Sequence, residues 1–470
     1  MDSLPNEILI KIFNNLTNSK DKYTFSTISD NCFSIYSMYV MYMNQFILKK
    51  ESHKKYIQKQ ITKLELRIPY KYLQYLERLH TLIISYKINY IEILSYTTSL
   101  RCLHLYHCEV TTSLLNLEHL CNLEELEIGI EISCPEIFKV QFSLSLIKLK
   151  LYLSSSTFYI DLKKYNKLTK LDISDNKYIK GINETDDIEN TIVLPDTLEE
   201  LIFKYSNLID FTFLVNTKIK ILDLSGSKNI KYIKLPITLD EFKFYNMPKL
   251  DPILLPYNIK KINVTARQTS FIFPSNILEE FIDAETSANR HNNVRAKKIY
   301  LSSVFVDDFS KLIISEITEE LHLINASLVR FTLRNTNIKK LHIENIVNSV
   351  NIIVPNVLEE LLFIHNFTSQ LMLDECNIKK LNISNSSIRC IKLPNILNEL
   401  IFHCSSMKIF EYTMIALAGG KEAYNSLINS MKIIETDKYK KYIYADNNNI
   451  PYINNCKIKN IDIIIFLNYS

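Results

Sequence analysis

Between residues 61 and 402 one spacing dominates the chain: an apolar residue, two variable ones, a second apolar residue, one variable, and a third apolar residue. Clear copies are Leu79-x-x-Leu82-x-Ile84, Leu100-x-x-Leu103-x-Leu105, Leu123-x-x-Leu126-x-Ile128, Leu146-x-x-Leu149-x-Leu151 and Leu168-x-x-Leu171-x-Ile173. Others start at Leu198, Ile219, Leu239, Ile259, Leu278, Ile338, Leu358, Ile378 and Leu397, and weaker ones at Ile61, Ala296 and Thr318. The period is 18 to 23 residues, apart from one interval of 30 after Leu168. Alternation at the second and third apolar positions predicts a short strand with one buried face. No single unit can bury that face alone, so units must stack, and stability becomes roughly a sum of neighbour terms.

A period near 20 leaves too few residues for a full helix on the return path. Later copies also place proline just ahead of the motif, in Leu235-Pro236, Phe273-Pro274, Val354-Pro355 and Leu393-Pro394. Proline is excluded from helix interiors and central strands, so the return path is expected to be extended or polyproline-like. About 17 repeats are expected over 61–404.

The skeleton resembles the leucine-rich-repeat family. The stretch Leu393-Pro-Asn-Ile-Leu-Asn-Glu-Leu-Ile-Phe402 is similar to short, proline-containing repeats of bacterial effectors, amoebae and giant viruses such as mimivirus. The resemblance implies an α/β repeat solenoid: a horseshoe with a parallel sheet and mostly non-helical return segments. The asparagine usual after the strand is mostly missing, Asn176 being an exception.

The residue just before the second apolar position points out of the strand. From Glu241 it reads Glu241, Lys261, Glu280, Lys298, Glu320, Lys340, Glu360, Lys380, Glu399, an unbroken alternation of sign over nine units. Parallel neighbours about 5 Å apart would set each acid beside bases. Two readings stand: a charged ligand-binding stripe, or a self-satisfied ladder that fixes unit order. The stripe sums to nearly zero, and the whole chain carries a net charge of only +4, so neither favours nucleic acid.

Residues 1–48 do not fit the repeat. Apolar residues at 8, 9, 12, 13 and 16 have helical spacing, with Ser3 as a candidate cap and Pro5 in the first turn. Leu4, Pro5, Glu7, Ile8, Leu9, Ile12, Phe13 and Leu16 resemble the first half of an F-box, a small all-helical module. The resemblance implies that these eight residues bind a Skp-family adaptor of a cullin complex, while the repeats hold an unknown protein substrate. Without it, the segment reads as a helical cover for the first apolar edge. Residues 49–60 are expected to form a linker helix and 405–470 a C-terminal cap, with helix over 411–434 broken at Gly419-Gly420 and a final strand over 461–467.

Catalytic and cofactor signatures are missing. Five glycines hardly allow a phosphate loop, and no His-Glu-x-x-His or Cys-x-x-Cys occurs. His104, His107, Cys108, His119, Cys121 and Cys134 match no zinc spacing, so neither metal nor cofactor is expected. An enzyme would need a tail cysteine such as Cys456, which has no histidine near it in sequence. Nine scattered cysteines, no basic-then-apolar leader and no apolar run of 18 predict a reduced cytoplasmic protein, in host cytoplasm if viral, with no membrane association. Expected partner-contacting positions on the inner sheet face are Tyr106, Tyr152, Lys204, Tyr245, Tyr300, His322 and His342, with His403 a further position; aromatic residues are enriched at interfaces.

Overall fold

The computed structural model describes residues 63–66 and 79–466 apart from short intervals, the longest being 90–97, 183–190, 284–293, 307–313 and 445–451. The eight F-box-like positions Leu4 to Leu16 and the expected linker helix therefore lie outside the described residues. The chain divides into two compact units, residues 1–238 and 239–470.

In the first unit the repeat motif builds β1 (Lys63–Leu66), β2 (Thr81–Asn89), β3 (Cys102–Val110), β4 (Glu125–Ile132), β5 (Lys148–Leu153), β6 (Lys170–Asp172), β7 (Glu200–Ile202) and β8 (Ile221–Asp223). Each pairs in parallel with the next. Register follows the motif, so Leu82, Leu103, Leu126, Leu149, Leu171, Leu201 and Leu222 form one row, all within 1% of complete burial. A fully buried leucine contributes ~1.5–3 kcal/mol, which is why this row fixes register so firmly.

The second unit repeats the scheme with β9 (Glu241–Phe244), β10 (Lys261–Val264), β11 (Leu278–Asp283), β12 (Ala296–Ser302), β13 (Glu320–Ile324), β14 (Lys340–Glu344), β15 (Glu360–Ile364), β16 (Lys380–Asn382) and β17 (Ile396–Cys404), again parallel neighbour to neighbour. Each unit is thus a parallel β-solenoid with little helix.

The return path is itself partly strand. Phe331–Thr332, Ser349–Ile353, Phe367–Met372 and Ser387–Lys392 form a second, four-stranded parallel sheet. Among the described return segments the one helical turn is a 3-10 turn, Thr212–Asn216. Proline ends the return strand: Pro355 and Pro394 follow the strands ending at Ile353 and Lys392. Lacking an N–H, proline still offers its carbonyl, and the amides of Leu198, Ile259 and Leu358 donate to Pro195, Pro256 and Pro355 across the turn into the next strand. The long interval after Leu168 holds Gly181–Ile182, which pairs with Thr191–Val193, itself paired with Tyr159–Asp161.

After the sheet strands the chain turns through left-handed residues: Asp175 and Tyr205 in the first unit; Ser303, Asn325, Asn345, His365 and Asn385 in the second. After Asp175, Tyr205, His365 and Asn385 the next residue is small, polar and buried, namely Asn176, Ser206, Asn366 and Ser386, whereas buried Ile346 follows Asn345. Asn176 accepts from the Leu153 amide at 2.6 Å and donates to the Leu151 carbonyl at 2.7 Å. Asn366 does the same for Ile346 at 2.8 Å and Ile343 at 2.7 Å. Elsewhere serine substitutes: Ser227 donates to the Phe203 carbonyl, and Ser386 to that of Phe363. These side chains satisfy backbone groups that the turn would otherwise bury unpaired.

The tail differs from its sequence reading. Helix α1 (Met407–Ala418) ends at Gly419, left-handed at φ 86°, and α2 (Lys421–Asn429) follows. Residues 431–434, expected to be helical, instead belong to strand β18 (Met431–Glu435), paired antiparallel with β19 (Tyr439–Tyr444). A helical window cannot anticipate that the segment finds a strand partner. Strand β20 (Tyr452–Ile453) turns back into β21 (Cys456–Phe466), which runs parallel to β17 and antiparallel to β19. Helix α1 buries Phe410, Met414 and Leu417 as one stripe, with Phe410 stacked on Phe402 at 5.6 Å and Thr413 donating to the Ser386 carbonyl.

Candidate functional site

Side chains between the second and third apolar positions stand on the open face of the sheet. In the second unit this row brings Ile282, Tyr300, His322, His342 and Leu362 side by side on β11 to β15. Tyr300 stacks on His322 with ring centres 4.1 Å apart, and His322 meets His342 edge-on at 5.2 Å, their Nδ1 atoms 3.2 Å apart. Nε2 of His322 lies 2.8 Å from Oε1 of Glu320, whose Oε2 is 3.3 Å from Lys298 Nζ. Nε2 of His342 is 3.4 Å from Glu344, a distance for ion pairing, though without hydrogen-bond geometry.

The electrostatics follow from packing. Burial first, and the neighbouring His322 second, push the His342 imidazole below its ordinary value. Burial opposes charge on Glu320, yet hydrogen bonds from His322 and Lys298 hold its carboxyl below the usual range. Burial, then the Glu320 charge, raises the Tyr300 phenol. The row is thus an aromatic and imidazole strip, with half-exposed Ile282 and Leu362 at its ends.

Beside it runs the predicted ladder, in register from Glu241 to Glu399. The ion pairs go one way: Lys261, Lys298, Lys340 and Lys380 reach Glu280, Glu320, Glu360 and Glu399, at 4.0, 3.3, 3.8 and 3.6 Å. A second ladder, which the sequence reading missed, lies one residue earlier. There Lys260, Lys339 and Lys379 reach back to Asp240, Glu319 and Glu359, at 3.2, 3.5 and 2.8 Å. Lys339-Lys340 and Lys379-Lys380 therefore each hold both neighbouring units. The signal was legible as alternating Glu-Glu and Lys-Lys pairs one period apart.

The other expected contact positions are scattered. Tyr106 and Tyr152 border a depression of about 480 Å³ in the first unit, floored by Gly129. A Cβ at Gly129 would collide with the Tyr106 carbonyl, so this close approach needs glycine. Lys204 lies 3.2 Å from the buried carboxylate of Asp223. Tyr245 is half-exposed just beyond β9, and the half-buried His403 donates its amide to Ser384.

The histidines and cysteines picked from the sequence do not assemble as a set. Cys108 is fully buried, its thiol pushed up to about 12 by desolvation, while His107 is exposed on the face and Cys121 in a turn. Cys134 lies outside the described residues. The face instead gathers Cys102 and Glu125 around His104, three donors within 4.8 Å of one another. Cys102-x-His104 and Glu125-x-Glu127 fill the same slots of successive units, the cue that sequence reasoning passed over.

Parallel strands carrying the L-x-x-L-x-L motif, left-handed turns and a buried Asn/Ser stitch define a repeat solenoid of leucine-rich-repeat type. Among solved structures, the chain is similar to the internalin InlF of Listeria monocytogenes (15% identity over 58% of this chain and 83% of that one, TM-score 0.36). It is also similar to YopM of Yersinia enterocolitica (15%, 83% and 96%, TM-score 0.33) and to the functional domain of InlJ of Listeria monocytogenes (13%, 86% and 89%, TM-score 0.25). No family model and no curated protein matches the sequence. Among the described residues no helix is long and apolar enough to cross a membrane.

Proposed function

We propose that this protein is a non-catalytic protein-interaction scaffold whose contact surface in the second unit centres on Tyr300, His322 and His342. The observation that carries the reading is the aromatic strip itself. Five adjacent strands present half-exposed apolar, aromatic and imidazole side chains in one row, while the lysines and glutamates beside them neutralise one another. Such a surface suits a protein segment better than a phosphate backbone, since aromatic anchors contribute strongly to protein contacts and the ladder offers no net positive field. A photo-crosslinking residue at Leu362 is expected to capture a protein partner that the same residue at Leu254, on a return strand of the same unit, does not. Tyr300→Ala should cut that capture severalfold. Equal capture from both positions would remove the assignment.

A finer form of the reading makes the chain the substrate-recognition subunit of a cullin-type (SCF) ubiquitin ligase, reached through a Skp-family adaptor. Its support is the spacing of Leu4, Pro5, Glu7, Ile8, Leu9, Ile12, Phe13 and Leu16. Adaptor and cullin should co-purify with the full chain, and Leu9→Asp with Phe13→Asp should abolish the association. If no adaptor is recovered with the unmodified chain, the scaffold stands without the ubiquitin system.

A further inference from the structure

We propose that Cys102, His104 and Glu125 form a binding site for a divalent metal ion of zinc's class, with Glu127 positioning the histidine. The donors sit on β3 and β4, whose register sets Cys102 opposite Glu125 and His104 opposite Glu127. Sγ of Cys102 is 3.1 Å from Nε2 of His104, and Oε1 of Glu125 is 3.7 Å from the same nitrogen. A tetrahedral zinc ion with bonds of ~2.0–2.3 Å separates its ligand atoms by ~3.4–3.6 Å, so the ion fits by small side-chain movements.

The surroundings favour binding in three ways. Nδ1 of His104 lies 3.3 Å from Oε2 of Glu127, the carboxylate–histidine relation that leaves Nε2 with its lone pair toward a metal. Lys148 and Lys150 each engage one glutamate oxygen, Oε2 of Glu125 at 3.5 Å and Oε1 of Glu127 at 2.9 Å, which leaves the other oxygens facing His104. Once the thiol has lost its proton, one thiolate and two carboxylates outweigh these two lysines by one negative charge, so a dication is attracted. On binding, the Cys102 S–H proton passes to solvent and a metal–sulfur bond forms, with no change of oxidation state.

All three donors are half-buried on the open face rather than sealed in the core. They supply three ligands, so the fourth position is open to water or to a donor from a protein partner. A nitrogen, sulfur and oxygen set of this kind suits zinc and cobalt and is a poor one for calcium or magnesium.

The test is titration of the full-length protein with cobalt(II), followed by displacement with zinc. One cobalt per chain should bind, with a sulfur-to-cobalt charge-transfer absorption in the near ultraviolet. Cys102→Ser should abolish that absorption, and Cys121→Ser should leave it intact. Glu127→Gln should weaken binding ~10-fold, the lower end of the range for a group supporting a metal-bound histidine. Glu125→Gln, which keeps size and packing, serves if Cys102→Ser melts at a lower temperature. The proposal fails if the unmodified protein gives no thiolate–cobalt absorption, or if the absorption survives Cys102→Ser.

Discussion

His342 illustrates how one position on a regular face acquires its own chemistry. Its imidazole is held neutral by burial and by His322, while Glu344 pulls weakly the other way. The folded state therefore binds fewer protons than the unfolded chain near and below the ordinary value of 6.5. The resulting stability is complete above that value and is lost as pH falls through and below it. The melting temperature should drop between about pH 7.5 and 5.5, and His342→Gln should flatten that dependence. An unchanged slope in the variant would show that the pair is not the titrating element. Asn366 makes a related point: its amide is buried to serve two backbone groups. Read alone, it is one more asparagine in a polar loop.

At the scale of strands, the two charge ladders give the second unit a sense of order that its apolar core lacks. Leucine rows are interchangeable from one repeat to the next, so a slip by one unit would cost the core little. The same slip would set Lys339-Lys340 against another pair of lysines. Individual exposed pairs contribute little, typically under ~1 kcal/mol. Lys340→Glu loses Glu360 at 3.8 Å and faces Glu320 instead. It should lower the melting temperature by a small amount in low salt, and the difference should vanish near ~1 M salt, where charges are screened within ~3 Å. A salt-independent loss would point to packing rather than charge. The alternation was legible in the sequence. The direction of each pairing was not, because it depends on how neighbouring strands place two adjacent lysines.

For the molecule as a whole, the last repeat strand needs a neighbour. Strand β21 pairs along β17, and α1 lays Phe410 on Phe402. Ending the chain at residue 404 would leave an unpaired strand edge and uncover buried Phe402. Such a truncation is expected to aggregate, with hydrogen-exchange protection lost most in β16 and β17 and progressively less toward β13, as nearest-neighbour stability implies. A monomeric truncation with an unaltered melting temperature would mean that the tail does not support the array.

What the sequence determined alone was the repeat: apolar residues three and five apart, returning about every 20 residues, admit few structures besides stacked parallel strands, because no unit can bury its own face. Proline placement likewise specified a return path without long helices. Tertiary structure decided which side chains meet. Cys102, His104, Glu125 and Glu127 come from two repeats, as do Asn366 and the groups its amide serves, and Tyr300, His322 and His342 meet across three. Residues some 20 positions apart become neighbours only once register is set, and the backbone then brings together donors that no local spacing connects.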